Sequence, residues 1–177
     1  MATIKWVMDP AHTEIQFKVR HLMITTVTGS FGKFDASFET TDDNLETAKV
    51  NFSADVDSIT TNNEQRDAHL KSADFFEATR YPKLTFTSTK LERVSGENYT
   101  LSGDMTFHGV TKNIILKVEH GGVITDPWGN TRTGFTVEGK VSRKDFGLVW
   151  NAATEAGGVV VGDEVKLHVN IEFIKAV

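Results

Sequence analysis

Apolar and polar residues alternate with a period of two along most of the chain. Over 164–175, Val165, Leu167, Val169, Ile171 and Phe173 share one face, while Glu164, Lys166, His168, Asn170 and Glu172 share the other. Ile15, Phe17 and Val19 alternate in the same way with Glu14, Gln16, Lys18 and Arg20, and Phe34, Ala36 and Phe38 with Lys33, Asp35, Ser37 and Glu39. The pattern recurs over 50–57, 84–93, 99–107, 113–124 and 132–142. Successive side chains of a strand point to opposite faces, so each segment reads as a strand with one dry and one wet face. Such strands build an antiparallel sheet covered on one side. Turn residues at 41–44, 95–98, 108–109, 126–130 and 145–147 separate them. Seven or eight strands joined mainly by hairpins predict a barrel or a sandwich, and strands of ten or more residues favour the tilted barrel.

One segment breaks the alternation, and a short helical stretch is predicted near 62–77. Thr61 followed by Glu64 reads as a capping box opening a polar helix over about 62–71. Ser72 is then placed to cap a second short turn, stopped by Tyr81-Pro82. This layout puts Leu70, Phe75 and Phe76 against the barrel.

Composition agrees with a β-rich protein and narrows its partners. The 177 residues include 22 Thr, 18 Val and 9 Ile, and these β-branched side chains favour strands. No linker, repeat or low-complexity stretch divides the chain, so 1–177 reads as a single domain. A net charge of −5 and no basic run longer than Arg143-Lys144 argue against a nucleic-acid partner. No apolar run approaches the ~20 residues of a membrane span, and the N-terminal residues lack the apolar core of a leader. A cytoplasmic location is therefore expected.

The chemistry-bearing motifs are sparse. Nucleophile elbow, zinc-helix, P-loop and dinucleotide motifs are all missing, and Gly157-Gly158 runs into valines, unlike a phosphate cradle. Cysteine is absent and the six histidines show no ligand spacing, so neither a metal nor another cofactor is expected. The sharpest cluster is Arg66-Asp67-x-His69. An Asp beside a His can orient a general base, which would make a hydrolase or isomerase acting on a lipid-like substrate. Without a nucleophile motif, the simpler reading is that these residues fasten the helix to the barrel rim, with Arg143 and Asp145 as end-of-strand anchors. Twelve Phe remain to be placed. The inner face of an eight-stranded barrel either fills with side chains or holds one small ligand, with Gly103, Gly134 and Gly139 leaving room for it. Periodicity leaves both open, the filled barrel implying a stress or interaction protein.

Several motifs in order now carry a resemblance. They are His12-x-x-Ile15-x-Phe17-x-Val19-x-His21, Arg66-Asp67-x-His69-Leu70-x-Ser72-x-Asp74-Phe75-Phe76, Tyr81-Pro82-x-Leu84, His108-Gly109-Val110-Thr111 and Arg143-x-Asp145-Phe146-Gly147. The chain resembles the YceI-like family of lipid-binding proteins from about Trp6 to Phe173. The resemblance implies an all-β, lipocalin-like, elongated eight-stranded antiparallel barrel whose lumen holds an isoprenoid lipid, either a polyprenyl compound or an isoprenoid quinone. It implies storage or transport and no catalytic residue. It also leaves room for a homodimer and for transient contact with a membrane surface. Combined with the alternation, it nominates Phe17, Val19, Phe34, Phe38, Phe52, Phe86, Met105, Phe107, Leu116, Phe135, Leu167 and Ile171 as lumen residues, with Phe75 and Phe76 closing one end. Arg20, His21, Arg66, His69 and Arg143 are nominated for a polar mouth.

Overall fold

A computed structural model describes residues 2–22, 24–151 and 161–176. Among them, eleven strands join one antiparallel sheet. They are β1 (Thr3–Met8), β2 (Glu14–His21), β3 (Thr25–Phe31), β4 (Phe34–Thr41), β5 (Asn44–Asp55), β6 (Ile59–Thr60), β7 (Lys83–Ser95), β8 (Asn98–Phe107), β9 (Val110–Thr125), β10 (Thr131–Ser142) and β11 (Val161–Lys175). The one α-helix among the described residues is α1 (Glu64–Lys71).

The eleven strands fill eight places around a closed barrel. β11 pairs with β2 along one part of its length and with β1 along another, so β1 and β2 form one strand interrupted by a 3-10 turn at Pro10–His12. Beside it β4 pairs with β1, and β3 with β2. Next, β5 pairs with β4, and β6 with β3. Three neighbouring strands therefore break at one level, cross-tied where Gly32 N–H donates to Ser58 O at 3.1 Å and Asp55 N–H to Lys33 O at 2.8 Å. The β1–β11 pairing closes the ring. At the opposite end β5 pairs with β7 but β6 does not, and 61–82 bridges that gap.

The eight-stranded, lipocalin-like barrel expected from sequence is the observed fold, with three strands added at Thr3–Met8, Thr25–Phe31 and Ile59–Thr60. All five predicted turns occur. His108 and Gly109 both take positive φ (55° and 72°) between the paired Phe107 and Val110, the two-residue hairpin loop whose twist suits antiparallel strands. The capping box does not form. Thr61 is held by Asp67, Asn62 turns left-handed (φ 61°), and Asn63 caps the helix by accepting from Arg66 N–H at 3.0 Å. Gly157-Gly158 lies outside the described residues.

A charged clasp holds the first strand break. Arg132 donates to Asp126 at 2.6 Å, Asp9 at 2.8 Å and Glu172 at 2.9 Å, joining the β9–β10 turn, the β1–β2 break and β11. Hydrogen bonds from His12 and then Arg132 lower the Asp9 carboxyl from its ordinary 3.8 to about 2. A carboxyl depressed on folding contributes stability above its unfolded value and loses it as pH falls through the folded one. Arg132→Met should therefore lower the urea midpoint at pH 7, and the gap from wild type should shrink between pH 4 and 2, read by tryptophan fluorescence.

Candidate functional site

The inward faces of the barrel enclose an apolar lumen of two lobes, about 150 Å³ in the middle and about 100 Å³ toward the helix. Phe38, Phe52, Phe86, Leu116, Phe135 and Ile171 line the first. Phe17, Val19, Phe75, Phe76 and Phe107 line the second, and Met105 and Leu167 line both. Phe34 departs from expectation. It falls at the strand break and borders a separate hollow with Pro10 and Lys33. Leu91 lines the lumen although its parity opposes that of Phe86, because a register shift between Ser88 and Lys90 reverses the faces of β7. Leu45, Leu101 and Phe173 also line it, Phe173 from the dry face read for 164–175, although none of the three is among the nominated lumen residues.

The glycines do not leave the space expected of them. A Cβ on Gly103 would come within 2.3 Å of the Phe86 ring, one on Gly139 within 2.2 Å of Leu116, and one on Gly29 within 2.2 Å of Phe17. Large side chains lie across the bare backbone of the neighbouring strand, which narrows the lumen. Gly134 falls between Thr133 and Phe135, both of which side toward the interior, and adds no space there.

The helical end is plugged. Phe75 is buried, Phe76 meets Phe31 and Phe107 edge-on or tilted, and Phe146 stacks on Phe107 with centroids 4.1 Å apart. Arg143, 3% exposed, donates to the carbonyls of Gly162, Leu148, Trp150 and Val161 at 2.6–3.2 Å. Burial pushes the pKa of its guanidinium down, and the nearby Asp163 opposes that shift. His108 Nδ1 lies 3.0 Å from Phe146 O, and its ring meets Tyr81. Gly147 takes φ 82° beneath His108, where a Cβ would come within 3.0 Å of Nδ1.

This geometry revises the expected mouth. Arg20, His21, Arg66, His69 and Arg143 gather at the helical end but not around one opening. Arg66 donates to Thr61 Oγ1 and O, both at 2.7 Å, and Arg143 spends its donors on backbone carbonyls, so neither guanidinium faces a head group. His69 packs edge-on against Phe75 and Trp150. Arg20 and His21 are both exposed at the end of β2, on opposite faces of the strand. The proposed catalytic pair does not form either. Asp67 Oδ1 accepts from Thr61 N–H at 2.8 Å and Thr61 Oγ1 at 2.6 Å, while His69 Nε2 lies 2.9 Å from Asp74. Asp9, His12 and Glu172 bring potential ligand atoms within 4.8 Å of one another, but Arg132 already sits on both carboxylates.

A closed eight-stranded antiparallel barrel with an apolar lumen and one plugged end defines a small lipocalin-like protein. Residues 6–173 match the YceI-like domain, and the chain belongs to that family. Protein YceI of Shigella flexneri is 38% identical over 164 residues, covering 93% of this chain and 82% of that one. The Campylobacter jejuni YCEI structure superposes with a TM-score of 0.78 at 32% identity, covering 89% and 90% of the two chains. A polyisoprenoid binding domain from Saccharophagus degradans shares the fold with a TM-score of 0.66 at 16% identity, covering 97% and 98%. No helix among the described residues is long and apolar enough to cross a membrane.

Replacing Arg143 by Met keeps the apolar stem but strands four carbonyls in the plug. The variant should lose at least about 3 kcal/mol of unfolding free energy in a denaturant titration.

Proposed function

We propose that this protein binds the apolar chain of an isoprenoid lipid in its barrel lumen, for storage or transport and without chemistry. The observation that carries the reading is the lumen itself: two adjoining lobes walled by carbon and sharing Met105 and Leu167 along the barrel axis. Each buried methylene gains ~0.8 kcal/mol, so a dry tube of this kind favours a long hydrocarbon over a polar metabolite. The likeness to the polyisoprenoid binding domain of Saccharophagus degradans supports the same class of ligand. The separate partners of Asp67 and His69 support binding over catalysis. Exchange with a bilayer would use exposed apolar groups such as Trp128, 81% exposed, and Ile124, 64% exposed, at the β9–β10 turn.

One observation favours the filled-barrel reading. Each lobe is smaller than the ~300 Å³ at the low end of ligand pockets. A chain enters only if rings such as Phe17, Phe52 and Phe76, all partly buried, turn aside. Native mass spectrometry after incubation with long isoprenoids separates the two. A stoichiometric adduct is expected for wild type. Ala48→Phe, which fills the central lobe from a position 9% exposed, should fold and lose the adduct. An apo mass that persists for wild type after incubation would establish the filled barrel.

A further inference from the structure

At the end away from the helix the inward rows change character at one level. On β8 the buried row Met105, Gly103, Leu101 ends in Tyr99; on β9, Leu116 and Val118 lead to His120; on β10, Val137 and Phe135 lead to Thr133. On β4, Ala36 and Phe38 lead to Thr40. A polar collar therefore sits on top of the apolar lumen, and its groups are fixed in place. His120 stacks on Phe135 at 4.9 Å and holds Glu97 through Nδ1 at 2.9 Å. The Thr133 hydroxyl donates to Gly122 O at 2.8 Å, so the 2.7 Å contact has it accepting from His120 Nε2–H. Trp6 lies flat on Phe38 at 5.6 Å.

Above the collar is a hollow of about 670 Å³. Leu45 lines both this hollow and the central lobe. Arg93 Nη2 donates to Tyr99 Oη at 3.0 Å, with the guanidinium 5.5 Å above the Tyr99 ring. No acceptor for the Tyr99 hydroxyl proton occurs among the described residues. A Cβ on Gly122 would meet nothing within 4 Å, so the floor beside His120 is open. The lining carries Asp43, Glu46 and Glu97 against Arg93, Lys175 and His120, with Glu97 already held by His120, so it offers no surplus of positive charge to an anion.

We propose that this hollow is the head-group site, taking the neutral, oxygen-acceptor head of an amphiphile whose tail passes Leu45 into the lumen. The proposal rests on the lumen reading above. It assigns the mouth to the end opposite the helix and excludes a phosphate or diphosphate head. The donors are the Tyr99 hydroxyl and the Arg93 guanidinium, which lies at the exposed rim. A mouth at the helical end would instead meet the aromatic plug, where Arg66 is committed to Thr61 and Arg143 to backbone carbonyls.

Three probes of matched chain length test this by fluorescence-quenching titration of the full protein: a prenylated benzoquinone, a polyprenyl diphosphate and an all-prenyl hydrocarbon without a head. The expected order has the benzoquinone bound more tightly than the diphosphate. Arg93→Ala and Tyr99→Phe should each weaken the benzoquinone about three- to tenfold, the loss of one hydrogen bond, and leave the hydrocarbon unchanged. Because Arg93 is exposed, its variant keeps the test usable if Tyr99→Phe unfolds. Equal losses for benzoquinone and hydrocarbon, tighter binding of the diphosphate, or a head-dependent loss confined to His21→Ala would each overturn the assignment. Failure of wild type to bind any of the three would overturn the lumen reading itself.

Discussion

Pairing of β1 with β11 closes the sheet at one end only, and much of the remaining architecture follows from where that closure stops. A closed sheet has no unpaired edge to satisfy, whereas an open one exposes backbone donors and acceptors. At the closed end the ring of hydrogen bonds is complete, and polar side chains line a hollow above the lumen. At the other end β6 has no partner beyond β3 among the described residues. The chain fills that gap with 61–82, so the barrel needs a second set of contacts to hold the filling in place.

Those contacts use most of the motif residues that make the chain recognisable. Arg66 and Asp67 grip Thr61 where the chain leaves β6. The left-handed His108-Gly109 loop lets Tyr81 approach closely: a Cβ on Gly109 would come within 2.7 Å of the Tyr81 ring. Arg143 gathers carbonyls from two separate segments, and the buried Phe146 stacks on Phe107. Each is a polar or conformationally special residue in a region that cannot use the regular ladder of a sheet. Recognisable motifs here mark a structural closure. The lumen-facing residues are ordinary apolar side chains whose exchange for others of similar size costs little.

That division explains what could be read from sequence. The barrel was legible because a period of two over 164–175 or 99–107 fixes which side chains face inward. Thirteen of the fourteen nominated lumen residues line one lobe or the other. The failures have physical causes that alternation does not encode. A bulge in β7 reverses the face of Leu91, and the break at Gly32 and Lys33 takes Phe34 out of the lumen. Thr61 looked like a cap because its spacing to Glu64 suits one, but Asp67 competes for the same hydroxyl at 2.6 Å. Arg143 is read from sequence both as an end-of-strand anchor and as a mouth residue, and the carbonyls of Leu148, Trp150, Val161 and Gly162 make it the anchor, a partner set that alternation does not reveal. The short strand at Thr3–Met8 completes the ring yet contributes just a few alternating positions, too few for the period to stand out.

The narrowness of the lumen is itself a consequence of the fold. An apolar cavity kept open costs ~24 cal/mol per Å³, so ~300 Å³ of standing void would cost about 7 kcal/mol, comparable to the whole stability of a domain. A barrel without ligand must therefore draw its side chains inward. The positions of Phe86 over Gly103 and Phe17 over Gly29 show how it does so without distorting the strands. Glycine provides a flat stretch of backbone onto which a ring can settle, and a ring held by van der Waals contact alone can leave by rotation about its own side-chain bonds. The wall would stay fixed while the filling moved. Lumen volume is then a property of side-chain rotamers, and a chain entering from the collar would replace aromatic contacts already made, one lobe at a time.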